Sequence, residues 1–352
     1  MEKLKRTIRM IDSLNDSLFD QAQKRLDNLT KPQGSLGRLE EFARTVVAIT
    51  GQENPDLSRK VVFTLAADHG VTDEKVSAFP REVTCQMVHN FISGGAAINV
   101  LARHAGASVI IADLGVAGDL GVADSAIFKN RKIAAGTKNF KLGPAMSRQE
   151  AVLAIETGID LVEENLPLGI VGTGEMGIGN TTSAAAMTAV FTQKQVREIT
   201  GRGTGIDDAA LRHKIAVIDE ALKLNLPDPQ DPVGVLEKVG GFEIGGMAGI
   251  MLACAAHRVP VLIDGFISGA AALLAVQLKP EAKCYMFASH RSVEPGHTAI
   301  LECLGLEPVL DLDMRLGEGT GCCLAFGVIE AGTRILAEMA TFEKAKVTEK
   351  DT

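Results

Sequence analysis

The sequence predicts an α/β protein built on a mostly parallel, doubly wound sheet of about six strands with helices on both faces. Short continuous apolar runs recur along the chain, which is typical of strands that are covered on both sides. Helical patterns separate most of these runs, and polar or glycine residues follow them, at the sheet edge where open α/β proteins bind ligands. The predicted strands are 61–67, 107–112, 168–171, 259–263, 284–288 and 308–312.

The chain before the first strand is predicted to be helical. Between residues 7 and 48, apolar residues recur every three or four positions, as in Ile8, Ile11, Leu14 and Leu18. We expect this segment to form a helical subdomain or a dimer arm. The charged tail 343–352 is expected to fray. Helices between or after the strands are predicted over 82–104, 148–164, 184–191, 207–224, 244–257, 265–278, 295–304 and 320–339.

Composition narrows the class of protein. The chain has 352 residues and 46% hydrophobic content, enough for one large or two modest domains. A net charge of −8 without a basic cluster argues against a nucleic-acid partner. Neither a secretory signal nor an apolar segment of about 18 residues is evident, so we expect a cytoplasmic protein that does not bind membranes. The six cysteines form no C-x-x-C pair and the seven histidines form no metal-ligand motif, which predicts reduced thiols and no protein-held metal.

Residues 168–186 are predicted to form a strand, a glycine loop and the start of a helix, an arrangement that suits an anion. Gly172, Gly174 and Gly177 match the dinucleotide motif G-x-G-x-x-G, while the P-loop motif fits only with Asn180 in place of its lysine. Segment 192–205 contains no apolar run of strand length, so a dinucleotide-binding βαβ unit does not close. One phosphate is therefore favoured, although a tight turn without any ligand remains an alternative.

Three further glycine loops are predicted at 201–205, 240–246 and 317–321. Glu175 and Glu318 stand in or beside such loops and are candidates for acid or base chemistry, with Lys214 as a positive partner. Either glutamate could instead be a solvated carboxylate or a charge at a helix start.

Other polar residues at strand ends have less specific interpretations. Asp68 and His69 follow the first strand, where a lone histidine is more often a structural hydrogen-bonding group than part of a metal site or a proton relay. Asp264 and Asp313 fit loop caps as well as ribose ligands. A Ser-His-Asp hydrolase is poorly supported because no G-x-S-x-G motif occurs.

Seven motifs in a single order together resemble the nicotinate mononucleotide:dimethylbenzimidazole phosphoribosyltransferase family. The resemblance spans nearly the whole chain, and several motifs in order are far more specific than one glycine loop. The motifs are K-P-Q-G-S-L-G-R-L-E at 31–40, A-D-H-G-V at 67–71, Ser77 with E-V-T-C-Q-M at 82–87, G-E-M-G-I-G-N-T-T-S at 174–183, D-G-F-I-S at 264–268, S-H-R-S at 289–292 and R-L-G-E-G-T-G at 315–321.

The resemblance implies a fold, an assembly and a reaction. It implies a large Rossmann-like catalytic domain at 59–329, a small mainly helical domain made of 1–58 plus 330–352, and a homodimer. The reaction transfers the phosphoribosyl group of nicotinate mononucleotide to dimethylbenzimidazole and gives α-ribazole phosphate for the lower ligand of cobalamin.

The resemblance also implies roles for residues. The catalytic base matches Glu318, and further active-site residues match Glu175 and Lys214. The benzimidazole pocket maps to Ser77, Gln86 and Leu316. The phosphate and ribose positions map to Gly174, Gly177, Gly179, Asn180, Thr181, Gly203, Asp264, Ser268, Ser289 and Ser292.

The chemistry implied by the resemblance fits these residues. Nicotinate leaves its mononucleotide as a neutral ring, so one carboxylate base on the incoming side is enough, and Glu318 would take the benzimidazole proton. Glu175 would stabilise an oxocarbenium-like transition state. No pyrophosphate departs, so we expect no magnesium or other cofactor. Two alternatives from other classes are an NAD-dependent oxidoreductase and a non-catalytic nucleotide-binding protein.

Overall fold

The computed structural model describes residues 1–348 and contains a six-stranded, wholly parallel sheet. The spatial order is β3-β2-β1-β4-β5-β6. The direction of strand addition therefore reverses between β1 and β4, where open α/β sheets form a ligand crevice. The strands are β1 Lys60–Ala67, β2 Ala107–Gly115, β3 Phe128–Asn130, β4 Ile170–Met176, β5 Val261–Ile263 and β6 Met286–Ala288.

Helices fill the connections, and their ends carry familiar signals. Ser147 and Glu150 form a capping box at the start of the sixth helix, and Gly51, Gly106 and Gly305 end three others in left-handed conformation. The helices are α1 Glu2–Arg9, α2 Asp16–Asp27, α3 Arg38–Thr50, α4 Val83–Ile92, α5 Ala97–Ala105, α6 Arg148–Glu163, α7 Asn180–Thr192, α8 Val196–Ile199, α9 Asp208–Asn225, α10 Pro232–Val239, α11 Phe242–Ala256, α12 Phe266–Leu278, α13 Pro295–Leu304, α14 Thr320–Glu338 and α15 Phe342–Ala345, with 3₁₀ turns at Gly70–Glu74 and Pro280–Tyr285.

Helices α11 and α14 cover opposite faces of the sheet. A Cβ atom on Gly246 of α11 would meet the Leu65 side chain, whereas one on Gly319 would meet Val62, and Thr64 donates a hydrogen bond to the Glu318 carbonyl. Because alternate residues of a strand point to opposite faces, β1 is covered by α11 on one side and by the start of α14 on the other. The predicted fold class is confirmed.

The predicted loop at 240–246 is wrong, because α11 begins at Phe242 and includes Gly245 and Gly246. These glycines serve helix packing. A Cβ on Gly158 of α6 would lie 1.9 Å from the Gly246 oxygen, and one on Gly249 would lie 1.9 Å from the Ile155 oxygen. The backbones of α6 and α11 can approach this closely only without side chains.

Strand β4 extends beyond its predicted end at residue 171, so Gly172 and Gly174 belong to the strand rather than to a loop. A Cβ on Gly172 would lie 2.7 Å from the Cβ of Cys322 in α14. The pattern resembled a loop because glycine weakens a strand signal, whereas here it admits a neighbouring helix.

Three other elements differ from the sequence prediction. Segment 308–312 is not part of the main sheet: its strand β8, Leu310–Asp311, pairs with β7, His290–Arg291, in a separate two-stranded sheet. The sixth strand is β3, which is too short for a periodicity signal. The predicted helix 82–104 divides into α4 and α5 around Gly94 and Gly95.

The terminal regions pack in two ways. Leu4 and Ile11 join the main core, where α1 lies against α6 and α11. Helices α2 and α3 meet the end of α14 in a second cluster that includes Leu26 and Leu336. Helix α14 runs unbroken through residue 330, and the division of the chain at 58 and 330 stays a prediction. Residues 349–352 of the predicted tail lie outside the described residues.

Within residues 1–348, α14 is long and apolar enough to cross a membrane by length and composition. More than half of its apolar window is buried, and it packs against α3, α5 and the sheet. That environment is the one expected of a core helix.

Candidate active site

A cavity of about 430 Å³ lies at the carboxyl ends of the strands beside the crossover between β1 and β4. Nine of the predicted site residues line it: Glu175, Gly177, Asn180, Thr181, Gly203, Ser268, Ser292, Leu316 and Glu318. A larger groove of about 690 Å³ lies at the surface between α7 and α9, but among the described residues only Asp219 gives it an acidic side chain. The smaller cavity is therefore the better candidate for chemistry.

Glu175 stands one residue from the end of β4, in register with Leu65 of β1, and its side chain is buried. Asn180, the first residue of α7, donates a hydrogen bond from its amide to the Glu175 carboxylate. Burial raises the pKa of Glu175 to about 8, and the negative charges of Glu243, Asp264 and Glu318 add to the effect. A pKa of about 8 favours the protonated form of this carboxyl group at neutral pH.

Glu318 lies in a short loop whose three residues, Gly317 to Gly319, have φ values of +86°, +65° and +94°. A positive φ is uncommon for glutamate and marks local strain. The backbone oxygen of Glu318 accepts a hydrogen bond from Thr64 Oγ1 at 3.0 Å, and its carboxylate accepts one from the Ile98 N–H in the first turn of α5 at 3.2 Å. Contacts from β1 and α5 thus maintain the strained conformation.

The loop that carries Glu318 packs closely against the strand that carries Glu175, because glycines stand at the points of contact. A Cβ on Gly317 would lie 2.2 Å from Glu175 Oε1, and one on Gly174 would lie 2.2 Å from the Glu318 backbone oxygen. Burial raises the pKa of Glu318, with Asp264 adding to the shift and the Ile98 N–H opposing it. One cavity wall therefore carries two buried carboxyl groups whose affinities for a proton are both increased.

Asp264 has the geometry of a loop cap, one of the two interpretations that its sequence position allows. Its carboxylate accepts hydrogen bonds from the N–H groups of Gly319 at 3.1 Å and Gly321 at 2.7 Å, and it does not line the cavity. Burial raises its pKa to about 6. Ser289 donates to the Asp264 carbonyl at 3.2 Å, and Ser268 accepts from the Asp264 N–H at 3.1 Å. Asp264 thus fixes the start of α14, and the two serines hold the backbone of Asp264 in place.

Lys214 of α9 lies behind the part of the cavity that Thr181 and Gly203 line. It is buried, and its ammonium group donates to Thr181 Oγ1 at 2.8 Å. Burial lowers the pKa of Lys214 to about 8, while Glu294 opposes that shift. Gly203, whose N–H donates to Glu294 at 3.0 Å, approaches Thr181 so closely that a Cβ would lie 2.8 Å from its hydroxyl. A lysine beside a helix N-terminus makes this part of the cavity suitable for an anion.

A separate part of the cavity lining is apolar. Val83 and Met87 line it from one face of α4, together with Phe79 and Leu316, which are 53% and 56% exposed. Sequence reasoning missed Phe79, Val83 and Met87, although the four-residue spacing of the last two was a usable signal.

Besides Lys214, Asp264 and Ser289, four more predicted site residues lie outside the cavity lining. Ser77 lies 3.3 Å from the hydroxyl of Thr204, and Gln86 is exposed on α4. Gly174 packs beneath Glu318. A Cβ on Gly179 would point at Thr72 and His69 rather than at the cavity. Three titratable lining residues were not among the predicted site residues, namely His290, Glu294 and Arg315.

Two further observations concern the alternatives. After β4 and α7, the next strand of the sheet begins only at Val261, so no local βαβ unit supplies the ribose-binding acid of a dinucleotide site. Among residues 1–348, no group of three or more His, Cys, Asp or Glu side chains is arranged to hold a metal ion.

The fold and the site define an α/β protein with two buried carboxyl groups in a cavity at the carboxyl ends of its parallel strands. A family model described as Phosphoribosyltransferase matches residues 11–347. The chain therefore belongs to this phosphoribosyltransferase family, and the resemblance inferred from the motifs is confirmed.

Full-length relatives carry a more specific name. The nicotinate-nucleotide–dimethylbenzimidazole phosphoribosyltransferase of Geobacter sulfurreducens is 60% identical, with 100% of both chains covered. The enzyme of that name from Desulforudis audaxviator is 56% identical, with 99% of both chains covered. A crystal structure of the enzyme from Thermus thermophilus superimposes with a TM-score of 0.90 at 42% identity, covering 96% of this chain and 100% of that one.

Proposed function

We propose that the protein transfers the phosphoribosyl group of nicotinate mononucleotide to dimethylbenzimidazole or a related base, giving α-ribazole 5′-phosphate and nicotinate. The observation that carries the proposal is that Glu175 and Glu318 line one cavity, which also has an apolar part and the buried ammonium group of Lys214 behind Thr181. The names of the full-length relatives supply the two substrates.

The phosphate of the nucleotide is assigned to the part of the cavity near Thr181, Gly203 and Lys214. The start of α7 contributes a partial positive charge there, and the ammonium group of Lys214 adds a positive charge behind Thr181. Binding a phosphate remote from the reacting carbon orients the ribose, so binding energy contributes to the chemical step.

The incoming base is assigned to the apolar part formed by Phe79, Val83, Met87 and Leu316. One ring nitrogen attacks the anomeric carbon, and the N–H of the other becomes acidic as positive charge develops. Glu318 takes that proton. Burial raises the pKa of Glu318, which makes its carboxylate a stronger base.

Glu175 is assigned to the ribose. The pyridinium charge of the substrate favours the ionised form of Glu175 and opposes the effect of burial on its pKa. The carboxylate then stabilises positive charge on the ribose in the transition state. Attack on the face opposite the departing nicotinate inverts the anomeric centre.

We also propose a cytoplasmic homodimer that binds neither nucleic acid nor membranes and needs no metal or cofactor. The exposed side chains of Phe79 and Leu316 at the cavity mouth support a partner chain that covers them. Light scattering coupled to gel filtration tests the dimer, and a monomer at micromolar concentration would contradict it.

The central experiment incubates the protein with nicotinate mononucleotide and a mixture of candidate bases, followed by mass identification of the products. We expect nicotinate release together with one or more α-ribosyl phosphates. Binding of the nucleotide without nicotinate release would favour a non-catalytic nucleotide-binding protein. Saturable quenching of NADH fluorescence would favour the oxidoreductase alternative.

A further inference from the structure

A completely buried hydrogen-bonded chain lies behind Glu175. His69, two residues after β1, joins Ser183 in the first turns of α7 to Glu243 in the first turn of α11. Its Nδ1 lies 2.9 Å from Ser183 Oγ and its Nε2 lies 2.7 Å from Glu243 Oε1. All three side chains are fully buried, and none of them lines the cavity.

The direction of these hydrogen bonds follows from the donor capacity of each group. An ionised carboxylate can only accept, so the Nε2–H of His69 donates to Glu243. In that tautomer Nδ1 accepts from the Ser183 hydroxyl. The same residue types form nucleophilic triads in hydrolases, but Ser183 lies away from the cavity and meets no substrate.

The imidazole of His69 supports the turn between β4 and α7. A Cβ on Gly177 would lie 3.4 Å from the ring, and one on Gly241 would lie 2.4 Å from it, so the ring fills the space between these two backbone segments. The start of α7, which Ser183 ties to His69, also carries Asn180, the hydrogen-bond donor to Glu175. A shift of this end of α7 would therefore move the Glu175 carboxyl group.

Charge links the chain to Glu175 as well. Glu243 from α11, Asp264 after β5 and Glu318 before α14 all act on Glu175 in the direction that keeps it protonated, while the amide of Asn180 opposes them. After burial, Glu243 is the largest of these influences.

We propose that the Ser183–His69–Glu243 chain positions a reacting group: it fixes the start of α7 and so orients the Glu175 carboxyl group. This inference rests on the proposed function, because Glu175 is taken to act as a carboxylate. His69, Ser183 and Glu243 are positioning residues that touch neither substrate.

The influence of the Glu243 charge on Glu175 is tested with Glu243→Gln. Glutamine keeps the shape of the side chain, and its amide oxygen can still accept the hydrogen bond from His69 Nε2–H. In the wild type, kcat/KM for nicotinate mononucleotide should rise with pH as Glu175 ionises. In the variant that rise should move to lower pH by about half a unit to one unit, because a like charge has been removed. In a Glu175→Gln background the same Glu243 change should not move the remaining profile.

The positioning effect is tested with Ser183→Ala, a smaller change that removes one hydrogen bond and no charge. We expect kcat/KM for the nucleotide to fall about 3- to 30-fold with the pH profile in place. Thr188→Val is the matched control, since Thr188 is equally buried on α7 and its hydroxyl has no hydrogen-bond partner within residues 1–348. The control should keep wild-type kinetics.

The outcomes separate the two proposals. If the wild type releases no nicotinate, the proposed function fails. If the wild type is active, either of two results overturns the charge effect. The pH profile of Glu243→Gln coincides with that of the wild type, or the Glu243 change moves the profile by the same amount in the Glu175→Gln background. Wild-type kinetics in Ser183→Ala overturn the positioning effect, and a loss of the same size in Thr188→Val assigns the change to packing alone. Should Glu243→Gln fail to fold, Ser183→Ala still decides the inference.

Discussion

Glu175 and Glu318 are two glutamates of one cavity, but the chain supports them in different ways. Glu175 is part of a regular strand, paired in register with β1. Glu318 lies in a left-handed loop that depends on Thr64, Ile98 and Gly174, residues far away in the sequence. The pKa of the carboxyl group on the strand is controlled mainly by its burial, to which the negative charges around it add. The one on the loop depends also on the contacts that maintain its backbone.

The comparison is tested most severely by Glu318→Gln. The amide keeps the shape and can still accept the Ile98 N–H, but it cannot take a proton from the base. We expect turnover to fall at least about 10²-fold with little change in nucleotide affinity. Steady-state nicotinate release and calorimetric titration with the nucleotide measure the two quantities. Near-normal turnover would remove Glu318 from the role of base.

The dependence of the loop on its supports is tested by Gly174→Ala. The new Cβ would lie 2.2 Å from the Glu318 backbone oxygen, so the loop must shift. We expect turnover to fall at least about 10-fold, since small displacements of catalytic groups are costly. Gly327→Ala in α14 is the control, because a Cβ there meets nothing within 4 Å. If both variants kept full turnover, the contrast between strand and loop would be wrong.

Glu175→Gln probes the electrostatic side of the comparison. The folded protein raises the pKa of this carboxyl group from 4.5 to about 8, so between those values the folded state retains a proton that the unfolded chain releases. Wild-type stability therefore falls as pH rises through this range, and glutamine, which does not titrate, avoids the loss.

We expect the Glu175→Gln variant to lose turnover about 10- to 10²-fold and yet to melt a few degrees above the wild type at pH 8, with a smaller difference at pH 5. Thermal denaturation without ligands at both pH values measures the effect. A gap in Tm that is the same at both values would show that the charge of Glu175 is not what destabilises the protein.

The smallest expected effect is that of EDTA. If the two carboxylates act as a base and as an electrostatic stabiliser, removal of divalent metal should leave the rate unchanged, because no pyrophosphate leaves in this reaction. The assay compares nicotinate release before and after dialysis against EDTA. If EDTA abolished the rate and magnesium restored it, both glutamates would be better explained as metal ligands. They would then no longer have the separate roles of base and electrostatic stabiliser.

Much of the site was predictable because motifs are local. The segment 174–183 predicted a ligand loop at a strand end, and Glu175, Asn180 and Thr181 do line the cavity. The motif 315–321 likewise predicted Glu318 beside glycines. His69 was predicted to be a structural hydrogen-bonding group, and its bonds to Ser183 and Glu243 confirm this. Asp264 could not be resolved from its position, because a cap and a ribose ligand require the same residue at the same strand end.

The sequence alone determined the alternation of strands and helices, since apolar periodicity and caps are properties of neighbouring residues. It did not determine that Gly172 and Gly174 continue a strand, because the reason lies in the approach of α14 from more than 140 residues away. Nor did it determine the left-handed backbone of Glu318 or the raised pKa of Glu175. Strain and desolvation arise only when distant segments exclude water and hold each other in place, and that is decided by the tertiary structure.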